Sequence, residues 1–263
     1  MKKIFFALLI FSIAFPLFAQ DAEFFYMRGS IYLQKGDFDL AITDFTKAIS
    51  LNPYNAEAYM DRGSAYNQKN DIDRALADYD KAISLDQRSG YAYYGRAIIF
   101  QSRGNLDRAL EDFTRAIALS PSDGAIWAGR GFVYIERGET EKAVGDFNKA
   151  ISIDPNNEET WLTRGEAYLA MGENDKAIAD CNKAISLNAN SFSAYIARGH
   201  AYLAKNDVDK ALADFNKAIS MNANDPAAYS GRSAAHLAKG NFDQAITDLN
   251  KSNELNMKAS AGR

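Results

Sequence analysis

Arginine and aspartate carry the most regular chemistry in this chain. Arginine stands at Arg28, Arg62, Arg96, Arg130, Arg164, Arg198 and Arg232, and aspartate at Asp44, Asp78, Asp112, Asp146, Asp180, Asp214 and Asp248, each series stepping by 34 residues. A column of guanidinium groups could hold a polyanion, because each planar fork matches phosphate or carboxylate oxygens. The matching column of aspartates favours the plainer reading, an internal Arg–Asp pair rebuilt along the chain. If the pairs are buried, Arg130→Ala would strand Asp146 at a cost of about 3–5 kcal/mol. If they are exposed, the loss is about 1 kcal/mol or less. A lysine or arginine three residues after each aspartate (Lys47, Lys81, Arg115, Lys149, Lys183, Lys217, Lys251) reads as a solvated partner on the same helix.

Catalytic chemistry has few candidates. Cys181 is the one cysteine, at a place where other copies of the pattern carry Phe45, Tyr79, Phe113, Phe147, Phe215 and Leu249. That substitution reads as a buried, inert thiol. The two histidines lie in different copies: His200 as a surface contact, His236 in a slot held elsewhere by tyrosine. There is no metal-ligand spacing and no glycine-rich phosphate loop. The sequence therefore points to no enzyme, no metal and no cofactor.

What positions these residues is a strict period of 34. The units are Ala22–Asn55, Ala56–Ser89, Gly90–Asp123, Gly124–Asn157, Glu158–Ser191, Phe192–Asp225 and Pro226–Ala259, with no insertion or deletion. A fixed period of this length marks a solenoid. With each unit numbered from its first residue, position 4 is always a large aromatic, such as Tyr93 or Trp127. Position 8 is tiny, and position 11 is aromatic in all but the last copy. Positions 4, 8 and 11 share one helix face, and positions 20, 24 and 27 share another (Ala41, Phe45 and Ala48 in the first unit). Between the two stripes, position 15 is only ever glycine or asparagine: Gly36, Asn70, Gly104, Gly138, Gly172, Asn206 and Gly240. Those residues tolerate the left-handed conformation that ends a helix. Position 16 is an acid or asparagine, suited to cap the second helix, and an acid two residues later suits its positive N-terminus. Pro53, Pro121 and Pro155 mark where second helices stop.

Together, W/Y-x-x-R-G-x-x-Y, G-D-x-D-x-A, D-F-x-K-A-I and P-x-N resemble the tetratricopeptide repeat, over 238 of 263 residues. The resemblance implies an all-α, right-handed superhelical solenoid of seven helix–turn–helix repeats. First helices would line a concave groove, and second helices would lie on the convex side. It also implies a protein or peptide partner, met by positions 2, 5, 9, 12 and 13 of the first helices. From the third to the sixth repeat these positions supply Tyr94, Ile98, Phe132, Ile135, Leu162, Glu166, Leu169, Ile196, His200 and Leu203. The stripe is largely apolar and suits an extended or helical apolar segment, with a basic residue near Glu166. The competing reading is that some of these side chains pack between repeats. The lysine and asparagine with which one branch of the family clamps a C-terminal carboxylate are missing from positions 5 and 9.

Residues 1–19 read as a signal peptide. Lys2 and Lys3 precede an uncharged apolar run, Ile4–Phe15, then Pro16 and Leu17-Phe18-Ala19 with cleavage after Ala19. The alternative is an uncleaved anchor, for which the run is short. Residues 20–259 hold the array and residues 260–263 a short tail. Export would place the protein in a bacterial periplasm or outside the cell, with no membrane insertion after cleavage. Of 30 basic and 34 acidic residues, losing Lys2 and Lys3 leaves a net charge near −6. Without a basic block this excludes nucleic acid and anionic membrane as natural partners.

The ends read differently from the middle. Ser252-Asn253 replaces the usual Ala-Ile and reads as a polar cap, while Phe24, Phe25 and Tyr26 crowd the first helix. Two functions follow: an exported, non-enzymatic interaction module that docks a protein segment in its groove, or a homo-oligomeric envelope scaffold using repeat ends and convex face. A small ligand in the groove is a further alternative.

Overall fold

The computed structural model describes residues 21–261, so the signal-peptide reading of residues 1–19 lies outside them. Among the described residues the chain is helical throughout, a helical repeat solenoid with no strand. The helices are α1 (21–35), α2 (Phe38–Leu51), α3 (Ala56–Gln68), α4 (Ile72–Leu85), α5 (Gly90–Ser102), α6 (Leu106–Leu119) and α7 (Gly124–Glu136). They continue as α8 (Thr140–Ile153), α9 (Glu158–Ala170), α10 (Asn174–Leu187), α11 (Phe192–Ala204), α12 (Val208–Met221), α13 (Pro226–Ala238) and α14 (Phe242–Ala261). One compact unit ends at Val133 and a second begins at Tyr134. No described helix is long and apolar enough to cross a membrane.

Each odd helix from α3 onward starts on the first residue of a 34-residue unit. The turn to its even partner passes through positive φ at position 15 in every repeat, from 59° at Asn70 to 81° at Gly36. There the next amide reaches back to close the helix end, as Asp37 N donates to Tyr32 O at 2.9 Å. Position 16 occupies the N-cap of α2, α4, α6, α8, α10 and α12, where Asp71 and Asn105 accept from the backbone with their side chains while Asp37, Glu139, Glu173 and Asp207 do not. Glu139 and Glu173 pair with Lys142 and Lys176 three residues on instead.

Packing runs through the position-24 ring. Phe215, fully buried on α12, lies between Gly199 of its own repeat and Gly231 of the next. A Cβ on Gly231 would stand 2.3 Å from the Phe215 Cε1. The small residues are therefore what lets two first helices close on one ring. Within the first unit α3 touches α5, and within the second α11 touches both α9 and α13. Among the described residues no such contact is seen between successive even helices within a unit, so the odd helices form the more closely packed side of each unit.

Charge stitches the same seams. Arg164 Nε and Nη2 donate to the Asp180 carboxylate at 2.7 and 2.8 Å, and its Nη1 donates to Asn148 of the preceding repeat at 2.6 Å. The two-oxygen fork recurs at Arg28–Asp44, Arg62–Asp78, Arg96–Asp112, Arg198–Asp214 and Arg232–Asp248. Arg96 also reaches back to Asp80, Arg198 to Asn182 and Arg232 to Asn216. The aspartates are buried, and the arginines lie across them. A second seam was not foreseen in the sequence. The acids at position 18 pair with the cation at position 14 of the next repeat, as in Asp73–Arg103 and Asp209–Lys239.

The C-terminal end differs from the sequence reading. Of the Ser252-Asn253 pair, Asn253 is exposed as a polar cap would be, but Ser252 is buried and donates to Pro226 O at 2.9 Å within its own repeat. The surface that a further repeat would cover is apolar, with Phe242, Ile246, Leu249 and Met257 exposed on α14. α14 is also longer than the other even helices and runs on through Met257 to Ala261.

Candidate functional site

The repeat-specific side chains gather on the odd helices. In the first unit Tyr94 and Ile98 on α5 pack one flank against the core around Phe113, where the Tyr94 and Phe113 rings meet edge-on at 5.9 Å. Both keep the other flank open, and Phe132 on α7 is likewise half-buried. In the second unit Ile135, Leu162, Leu169, Ile196, His200 and Leu203 are all half-buried. Ile196 and Leu203 lean on the core made by Ala211, Phe215 and Ala235, and His200 stacks edge-on over Phe215 at 5.1 Å. Burial lowers the His200 pKa and favours the neutral ring. Glu166 opens to solvent on this face, and the protein around it still raises its pKa by desolvation. The side chains thus divide between core packing and an accessible apolar face.

The first unit holds a more polar site that the sequence stripe missed. Asp61 on α3 takes a hydrogen bond from the Tyr26 phenol of α1, close to Ser30, whose hydroxyl donates to Tyr26 O at 3.1 Å. Burial, with Glu57 adding repulsion, pushes its pKa up to about 6. The same burial and these acids push the Tyr26 phenol upward. Position 6 holds Met27, Gly95, Gly129, Thr163, Ala197 and Gly231 in the other repeats. A carboxylate among small or uncharged residues was the available signal.

Beside it opens a hollow of about 480 Å³, lined by Met60, Asp61, Ser64, Tyr79, Tyr91 and Tyr94 among others. Tyr79 replaces the usual phenylalanine, so its hydroxyl joins Ser64 and faces Asp61. Gly95 leaves room for that ring end, since a Cβ there would sit 2.4 Å from the Tyr79 Cζ. Tyr91 stands at the rim, its hydroxyl donating to Asp123 at 2.9 Å.

The remaining reactive groups are enclosed. Cys181 is fully buried, and desolvation pushes its thiol up to about 12. His236 lies 4.0 Å from Asp248 and near Asn241. Among the described residues no group of three or more His, Cys, Asp or Glu could hold a metal ion.

Comparison with known proteins gives the architecture its relatives. Models described as tetratricopeptide repeat match residues 26–92, 90–123 and 158–191, and one described as TPR repeat matches 131–172 and 199–240. No curated protein matches the chain. Among solved structures, YrrB, described as a TPR protein with an unusual peptide-binding site, is 26% identical with a TM-score of 0.62; the match covers 70% of this chain and 95% of YrrB. A tetratricopeptide repeat protein from Parabacteroides merdae is 21% identical, with 90% and 93% covered and a TM-score of 0.64. The pilF protein of Pseudomonas aeruginosa is 16% identical, with 77% and 92% covered and a TM-score of 0.70; these last two speak to the fold alone. The shared fold suggests a protein–protein interaction module.

Proposed function

The chain belongs to the tetratricopeptide repeat family, and we propose that it is an exported, non-enzymatic module that docks a protein segment on the odd-helix face. One observation carries this reading. The recurring residues, the Arg–Asp forks and the rings that fill position 24 in most repeats, are spent on holding helix pairs and neighbouring repeats together. The residues that differ, such as Leu162, Ile196 and His200, stay half open on the odd-helix face. A framework that folds and a face that varies is what selective recognition of a peptide needs. The likeness to YrrB, a peptide-binding protein by its description, supports the same reading. Export rests on Lys2, Lys3 and the apolar run that follows. The absence of chemistry rests on a sealed Cys181 and on histidines that lie in separate repeats.

In-cell photo-crosslinking tests it. A photoreactive residue at Leu162 should give one heterologous adduct, while Ala213, exposed on the even helix α12, should give none. Equal adducts at both sites, or self-adducts only, would remove the groove reading.

A second reading, end-to-end self-association, is favoured by α14. Leu249 is 48% exposed, whereas Phe45, Phe113, Phe147 and Phe215 at its sister positions are fully buried. A second copy could supply that cover. Sedimentation equilibrium over a hundredfold concentration range decides it: a mass that stays monomeric, and is unchanged in Leu249→Glu, rejects self-association.

A further inference from the structure

The hollow between α3 and α5 combines features that the apolar stripe of the second unit lacks. Its lining brings together the Asp61 side chain, the tyrosines Tyr79, Tyr91 and Tyr94, and the amide side chains of Asn67 and Gln68. No lysine or arginine is among the residues that line it. The Tyr26 phenol already engages the carboxylate before any ligand arrives. Two sequence departures build the site: an acid at position 6 and a tyrosine at position 24, each singular to the second repeat. From this geometry we propose that the hollow receives a cationic side chain, arginine or lysine, from the docked protein segment, with Asp61 as counter-ion and the tyrosine faces around its stem.

The chemistry is complementary in each part. A guanidinium or ammonium supplies the positive charge that a desolvated carboxylate lacks, and charge-assisted hydrogen bonds of this kind are the strong ones. Tyrosine faces attract a cation through their quadrupoles. The hollow's volume exceeds what one such side chain fills, leaving room for backbone from the same segment. Glu57, near enough to raise the Asp61 pKa, adds to the negative potential. Asp123, held by the Tyr91 hydroxyl, adds to it at the rim. This inference rests on the groove reading and adds a charge requirement to it: the segment carries a basic residue for the first unit.

Selection of a random heptapeptide phage library on the full chain tests it. The expected outcome is enrichment of peptides with arginine or lysine. The leading peptide should bind Asp61→Asn about tenfold more weakly, as should its citrulline or norleucine analogue on the native chain. Ser64→Arg, which would place a resident guanidinium in the hollow, should abolish binding, and matched melting curves would show that each variant folds. Recovery of the basic pool by Asp61→Glu but not by Asp61→Asn would further support the carboxylate's role. An apolar consensus, or a basic consensus indifferent to Asp61→Asn, would overturn the cation site while leaving groove binding in place. No enrichment at all would overturn both.

Discussion

Asp180 sits sealed beneath Arg164, which is itself only 13% exposed along its side chain. Removing that arginine leaves a buried carboxylate without its fork and releases Asn148 of the neighbouring repeat. Arg164→Ala should therefore cost about 3 kcal/mol in urea unfolding, the value for a broken buried pair rather than a surface one. A loss under about 1 kcal/mol would mean that the fork contributes little. Asp61 behaves in the opposite sense. Its folded pKa of about 6 exceeds the ordinary 3.8, so the folded chain holds the proton more tightly than the unfolded one. Its contribution is full below about pH 4 and is lost as pH rises through about 6. Asp61→Asn should match the native chain near pH 4 and exceed it near pH 7 by on the order of 2 kcal/mol. Equal stability gaps at the two pH values would contradict this. The arginine and aspartate columns were legible in the sequence because they repeat without exception. Asp61 was not, because a single departure at a position with no framework role carries no period to read.

At the scale of the helix, two glycines separate backbone from packing. Gly104 has φ of +72° and nothing within 4 Å of a would-be Cβ, so Gly104→Ala tests conformation alone and should cost about 1–2 kcal/mol. At Gly231 the obstacle is the Phe215 ring, and Gly231→Ala should cost about 1–3 kcal/mol by overpacking two repeats against each other. Equilibrium urea melts of both, with a fluorescence probe near each site, would distinguish them. Either variant melting like the native chain would contradict its assigned cause. Helix pairs, turn positions and core stripes were readable because short-range periodicity encodes them. The α14 end was half misread, since Asn253 is exposed as expected and Ser252 is not. Ser252 looked outward on its repeat number, but its hydroxyl finds a carbonyl in its own repeat, and the apolar positions 17, 21 and 24 face out instead. Composition at one position does not reveal which neighbour covers it.

For the whole molecule, the sequence allowed that some variable side chains pack between repeats but did not show which. The division between core and open face depends on contacts across 34 residues, as when Ile196 and Leu203 lean on Phe215 and Ala235. Under the proposed function, partner binding belongs to the odd helices, with the even helices left bare. The most direct measurement is amide hydrogen exchange on the full chain, free and bound to the partner identified by crosslinking. The account predicts added protection on α3, α5, α9 and α11 and none on α4, α10 or α12. Protection confined to the even helices or to α14 would contradict it.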